Sequence, residues 1–361
     1  MCLPGCSART YLATSHQQPR TAIEVDGWQG AWNLAAIRLQ ALKSSSCDII
    51  SRVSTETDPN TANPTQLLDQ LLNTASPRAR SLLVTVFGDS VTVHGGSIWL
   101  ASLVRLAQPF GLNERLVRTA VFRLTREQWL QARSLGRRRY YELTDRGVHS
   151  FESADRRIYD PPSKDWDGCW RMVLASHEHL RPAQRQQLRR ELLWRGYAAV
   201  SAGLYVHPTD ALDAVREFCA KLELREPVVV LKAQADSDDS ARLQDKFARA
   251  AKLEQLCEHY RTLHARLAGF RQHIGELNDE QAFVLRTLTI HEYRRVLLRD
   301  PCLPAALLPR HWPGDEVRQL CAQLYRALLD GSERFLQQHA EHQQGAFSLL
   351  PAALKQRFRN T

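Results

Sequence analysis

The stretch GLNERLVRTAVFRLTREQWLQARSLGRRRYYELTDRG, Gly111–Gly147, decides how this chain is read. Its first half is helical in pattern. Asn113 stands where an N-cap side chain accepts a backbone N–H, and Glu114 falls in the first turn, where the helix dipole favours a carboxylate. Projected at about 100° per residue, Leu116, Val117, Ala120, Val121 and Leu124 share one arc. Arg115, Arg118, Thr119, Phe122 and Arg126 gather opposite them, with Arg123 at the edge. The first arc is predicted to face a core and the second to present cations. The second half alternates about Leu135 and Gly136, predicting two short strands with Arg137, Arg138 and Arg139 at their tip. Tyr140 and Tyr141 then point to opposite faces, one of them inward, and Trp129 seals the helix end against the hairpin.

Upstream, RARSLLVTVFGDSV (from Arg78) is apolar and ends on a Gly-Asp stop. GGSIWLASLVRLAQPFG (from Gly95) reads as an amphipathic helix between glycines, with Trp99 on its core side. Three helices followed by a hairpin is the order of a winged helix. TDRGVHSFESADRRIYD continues as a helix out of the unit, and PPSKDWDG marks a linker. From Cys169 to Ala235 the pattern is β-α-β-β-α-β, which suits a ferredoxin-like domain. Everything after Ser240 is helical in period, with Pro and Gly between segments. The fold class is therefore α+β and multidomain. A leading segment occupies 1–75, a winged-helix domain 76–160, a ferredoxin-like domain 165–238 and a helical C-terminal domain 239–361. The leader is rich in Ser, Thr, Asn, Pro and Gln and is expected to be mostly disordered, with a weakly helical patch at WNLAAIRLQALK and a first short helix at NPTQLLDQLLN.

The 361 residues carry a formal charge of +9. Between Ala101 and Arg146 there are ten Arg and no Lys against four acidic residues, so a local +6 accounts for most of that excess. An isolated Arg-rich helix is usually a solvated face. An Arg-rich helix followed by an Arg-tipped hairpin points instead to duplex DNA. The guanidinium fork grips phosphate or the guanine O6/N7 edge, one helix fits the major groove, and cations on a wing follow the backbone. The DNA-binding candidates are Asn113, Arg115, Arg118, Thr119, Arg123, Arg126, Arg137, Arg138 and Arg139.

Competing chemistry finds little support. HEYRR (His291–Arg295) has Arg295 where a zinc-hydrolase helix needs its second His. SHEHL offers His177 and His179 but no evident third ligand, and DSDD (Asp236–Asp239) lacks the alternating ligands of an EF-hand. VHGGS has no Lys-Ser/Thr and reads as a turn. No Gly-x-Ser-x-Gly elbow occurs, so catalytic and metal-ligating residues are expected to be absent. No run nears the length of a membrane span, the first twenty residues lack the basic head and apolar segment of a signal peptide, and eight scattered cysteines without a C-x-x-C suit reduced thiols. A cytoplasmic protein is expected.

FGDSV, GGSIWLASLVRLAQPFGLNERLVRTAVFRLTREQWL, GRRRYYELTDRG and HEYRRVLLRDPCLPAALLPRHWPG, in this order, resemble the PaaX family of bacterial repressors of phenylacetic-acid catabolism. The likeness runs from about Arg78 to the C-terminus. It implies a winged helix, a central Cas2-like ferredoxin fold and a helical C-terminal domain. It also implies a homodimer on double-stranded operator DNA, released by the effector phenylacetyl-CoA, with no other cofactor. Asn113, Arg115, Arg118, Thr119 and Arg123 match the recognition-helix motif, and Arg137–Arg139 the wing. The Cas2-like label does not imply cleavage, because Ser176 and His177 stand after the first central strand where Cas2 nucleases carry an acid. No residue identifies the effector site. Arg294 and Arg295 suit a phosphate-bearing thioester, but a helix-surface salt bridge or a domain contact explains them better. Two other function classes remain in view at this point: a metal-dependent nuclease built on the central domain, and a basic RNA-binding protein.

Overall fold

The computed structural model describes residues 63–160, 165–224, 226–348 and 351–359. The WNLAAIRLQALK patch and residues 161–164 of the expected linker lie outside them. Helix α1 (Pro64–Ala75) begins behind Asn63, whose side chain accepts from the Thr65 N–H. It sends Leu68, Leu71 and Ala75 into the main core. This is the short helix expected at NPTQLLDQLLN, and it packs into the folded body although it falls within the leading segment.

Helix α2 (Ala79–Val86) does not stop at the Gly-Asp pair as expected. The chain keeps winding through a wide turn over Phe87–Val91 and a tight one over Thr92–His94. A buried Asp89 with strong partners holds that turn. The expected helix across GGSIWLASLVRLAQPFG is also corrected. Ser97–Trp99 form strand β1, and helix α3 (Leu100–Ala107) starts only after it. All three strand residues are buried and pair with Glu142, Tyr141 and Tyr140, and that pairing overrides the helical period of the segment. Then come α4 (Glu114–Arg126), β2 (Leu130–Leu135), β3 (Arg138–Leu143) and α5 (Asp145–Tyr159). The antiparallel sheet has the order β1-β3-β2, which with α2, α3 and α4 makes a winged helix.

The central unit follows the predicted order: β4 (Trp170–Ala175), α6 (Pro182–Trp194), β5 (Ala198–Ser201), β6 (Leu204–His207), α7 (Leu212–Lys221) and β7 (Val228–Ala233). Its sheet is antiparallel throughout, in the order β5-β6-β4-β7. One face buries Val173, Tyr205 and Val228 against Leu188 and Leu192 of α6 and Val215 and Phe218 of α7. From the other face, Trp170 packs on Phe247 of α8 (Ser237–Ala250), with ring centroids 5.5 Å apart.

Helices α9 (Leu253–Ala268), α10 (Asp279–Leu297) and α11 (Gly314–His339) are followed by a two-stranded ribbon, β8 (Glu341–His342) and β9 (Gly345–Ala346), and by α12 (Ala352–Gln356). Helix α10 is the axle. From Ala282 to Leu297 every residue but Arg295 is buried, as its apolar residues on all sides require. It packs against α1, α2, α5, α9 and α11. One hydrophobic core therefore runs through the winged helix and the helical unit, which are separate in chain order but not in packing.

Charges lie inside this core. Asp89 is 2% exposed and its two oxygens take four donors: Tyr159 Oη at 2.7 Å, Tyr325 Oη at 3.0 Å, Arg357 Nη1 at 3.0 Å and Arg286 Nε at 3.1 Å. Arg286 continues to Glu333 (2.7 Å) and the Ser90 hydroxyl (3.1 Å), and Glu333 to His94 (3.1 Å). Arg357 also donates to the carbonyls of Asp89 and Gly88 and to Asp155. Two further arginines cap helix ends across the seam, where cations meet the negative pole of the dipole. Arg318 of α11 donates to the Ile158 and Tyr159 carbonyls, and Arg157 of α5 to those of Leu297 and Asp300.

Burial raises the Asp89 pKa, but Arg286, Arg357 and the two tyrosine hydroxyls outweigh it and hold the carboxyl below its ordinary value. Glu333 is lowered too, with His94 and Arg286 outweighing its burial. A depressed acid stabilises the fold above its unfolded pKa and stops doing so as pH falls through the folded one. Stability is therefore expected to drop progressively below about pH 4, as measured by urea unfolding at a series of pH values. Asp89→Ala, which takes the shared buried carboxylate from Arg286 and Arg357 and leaves them Glu333 and Asp155 alone, is expected to cost about 3–5 kcal/mol at neutral pH in the same assay.

Candidate nucleic-acid interface

Helix α4 is built as its sequence suggests. The Asn113 side chain accepts from the Leu116 N–H at 3.0 Å, and Val117, Ala120, Val121 and Leu124 are buried. Leu116 departs from the expected core arc, at 44% exposed. It lies about 90° from the outward pole of the helix, so the neighbouring elements do not reach it. Arg115, Arg118, Thr119, Phe122, Arg123 and Arg126 are all exposed. Arg118 donates to Glu114 at 2.7 Å, one turn back, in an exposed pair that water and another anion can readily replace. Thr119 donates its hydroxyl to the Arg115 carbonyl at 2.8 Å. Among the described residues, Arg115, Arg123 and Arg126 have no side-chain partner.

The hairpin turns at Gly136 and Arg137, since Leu135 pairs with Arg138. Gly136 has φ 60°, which suits glycine as the first central residue of a two-residue turn. Tyr141 is buried and Tyr140 partly so, and Trp129 packs edge-on against Phe151, 5.6 Å between centroids. The three tip arginines are not equivalent. Arg137 and Arg139 are exposed with no partner among the described residues. Arg138 turns back onto the body, its guanidinium 4.2 Å from the centre of the Trp99 ring and 3.3 Å from Glu341 on the C-terminal ribbon. The Trp99 indole donates to the His342 carbonyl at 2.8 Å, and Ser97 to Gln343 at 2.7 Å, so the base of the wing is fastened to that ribbon. Nothing local in GRRRYY marks this, because Glu341 is 203 residues away.

HEYRR turns out to serve packing. His291 is buried against the Thr85 hydroxyl at 3.0 Å, and burial with Arg294 and Arg295 nearby pushes its pKa well down. Arg294 donates to the carbonyl and hydroxyl of Ser81, both at 2.9 Å, a contact between α10 and α2. Burial, with Arg80 and Arg295 nearby, pushes its pKa down to about 10. Arg295 pairs with Glu292 at 2.7 Å. Among the described residues no three of His, Cys, Asp and Glu are grouped to hold a metal ion, and no helix is long and apolar enough to cross a membrane.

A winged helix whose cationic helix and turn face outward, joined to a ferredoxin-like sheet and a helical unit that shares its core, defines the class. Residues 78–147 match the family described as PaaX-like protein, 163–246 the PaaX protein central Cas2-like domain, and 251–338 the PaaX-like protein C-terminal domain. The transcriptional repressor PaaX of Escherichia coli (strain K12) is 32% identical over 299 residues, which span 81% of this chain and 93% of that protein. Among solved structures, the uncharacterized protein Rv0674 from Mycobacterium tuberculosis is 22% identical over 70% of this chain and 96% of its own, with a TM-score of 0.48. The chain belongs to the PaaX family.

Asn113 has a capping role that accounts for its side chain. Asn113→Ala is expected to lower stability by about 1 kcal/mol in thermal or urea unfolding. A fall in DNA affinity that Asn113→Ser fails to restore gives this residue a second role, at the DNA.

Proposed function

We propose that the protein is a transcriptional repressor that binds double-stranded operator DNA as a homodimer in the cytoplasm and catalyses no reaction. The observation that carries this reading is the outward face of α4, where Arg115, Arg123 and Arg126 are exposed and unpaired among the described residues, as are Arg137 in the turn of the hairpin and Arg139 just after it on β3. One helix of this width enters a major groove, and the turn then lies along the phosphates. The relative in Escherichia coli carries the name of a transcriptional repressor. A two-fold dimer calls for a palindromic operator, because the two recognition helices then meet equivalent half-sites.

The finer part of the proposal takes genes of phenylacetate (aryl-acetate) catabolism as targets and phenylacetyl-CoA as the effector that releases the DNA. Its support is the family resemblance and the shared core. An effector shifts the protein only by binding the DNA-incompetent arrangement more tightly, with a coupling of about 1–3 kcal/mol. The winged helix packs directly on α10 and α11, so a ligand of the helical unit would act on it through those shared contacts.

Arg118→Ala is expected to weaken operator binding by about 1–3 kcal/mol if Arg118 leaves Glu114 for a base; unchanged affinity in an anisotropy titration removes it from the reading set. Arg137→Ala is expected to weaken operator and unrelated duplex alike and to flatten the salt dependence by about one unit of slope. A structured RNA titrated alongside should bind less well than the operator, since a helix cannot enter the narrow groove of A-form RNA. For the effector, a thermal-shift panel of acyl-CoA esters is expected to single out an aryl-acetyl ester over free coenzyme A, stabilisation following mass action. Equal shifts for all esters rule out that effector.

A further inference from the structure

Phe122 lies 62% exposed in the middle of the cationic helix. A single exposed apolar side chain is ordinary, but this is the most exposed of the large apolar side chains among the described residues and it stands inside the cationic face, where neither capping nor packing accounts for it. Its angular position sharpens the point. At about 100° per residue, Arg115, Thr119, Phe122 and Arg126 form a ridge opposite the buried arc of Val117, Ala120, Val121 and Leu124. Arginines stand at the two ends of this ridge, and Arg118 and Arg123 flank it. Its two central positions are apolar in effect. Phe122 offers a ring, and Thr119, with its hydroxyl committed to the Arg115 carbonyl at 2.8 Å, offers its methyl group.

We infer that Phe122, together with the Thr119 methyl, reads the 5-methyl group of thymine in the major groove, making an A·T pair part of each half-site. This rests on the DNA-binding reading above and deepens it. Of the groups on base edges in that groove, the thymine methyl is the apolar one, and Phe and the Thr methyl are suited to it. Arg115 and Arg126 at the ends of the ridge and Arg123 at its side supply attraction to the flanking phosphates, which positions the helix without selecting sequence, and Arg118 is left for the base contact tested above. A ridge reading guanine would carry arginine at its centre, where this one has an aromatic ring.

The test uses the full chain and a duplex that the wild-type protein enriches from a random-sequence pool. Each thymine of that duplex is replaced in turn by deoxyuridine, which pairs identically and lacks only the methyl. At one or two positions per half-site the replacement is expected to weaken wild-type binding about fourfold per methyl, the equivalent of about 0.8 kcal/mol. In Phe122→Ala the same replacement should have most of its effect removed, only the Thr119 share remaining. Thr119→Ser, which keeps the hydroxyl and removes the methyl, should lose part of the deoxyuridine effect while melting with the wild type. Insensitivity of the wild type to every deoxyuridine overturns the inference, as does full retention of the effect in Phe122→Ala. A Phe122→Ala protein that changes from dimer to monomer also overturns it, by placing the ring at a protein contact. Enrichment of no duplex at all is a different result and overturns the DNA-binding reading itself.

Discussion

A carboxylate buried without partners is not tolerated in a protein interior, and Asp89 shows what satisfying one requires. Its four donors come from three distant parts of the chain: Tyr159 at the end of α5, Arg286 and Tyr325 on α10 and α11, and Arg357 in the tail. Each donor has to be delivered by its own element at hydrogen-bonding distance. The cluster thereby fixes the relative placement of the winged helix, the central axle and the C-terminal segment more narrowly than apolar packing alone, which tolerates sliding. Replacing such a cluster by apolar groups can leave stability intact. Removing one member cannot, because the others stay charged and buried.

The same arrangement links fold to function. The winged helix carries the outward arginines, yet α2, which supports it from behind, buries its own residues against α10, and Ser81 at its start receives Arg294. The wing is anchored separately, through Trp99, Arg138 and the ribbon after α11. The exposed arginine face is thus held at two places by the helical unit.

Much of this was legible in the residues. The period of ERLVRTAVFRLTR, with Asn113 before it, gave helix α4 and its buried side, and alternation about Gly136 gave the hairpin. Four strand patterns separated by two helical ones gave the central unit in its observed order. What could not be read was non-local or too short to carry a period. Strand β1 has three residues, all buried, and within a longer apolar run nothing distinguishes them from helix. Gly88-Asp89 resembles a stop signal because its reason for continuing, Arg286 and Arg357, lies 197 and 268 residues further on. Arg138 looks like its neighbours until Glu341 is placed beside it. Leu116 sits at the rim of the core arc, where projection alone does not say which side wins.

The separation between Asp89 and Arg357 also bears on the order of synthesis. At ordinary elongation rates, 268 residues take on the order of tens of seconds to follow. Over that interval the partners of the winged helix arrive in sequence: Tyr159, then α10 with Arg286, then Tyr325, then the ribbon at the base of the wing, and Arg357 last. Completion of the frame behind the arginine face is thus tied to arrival of the tail, and a polypeptide released early would carry the arginines without all of that frame.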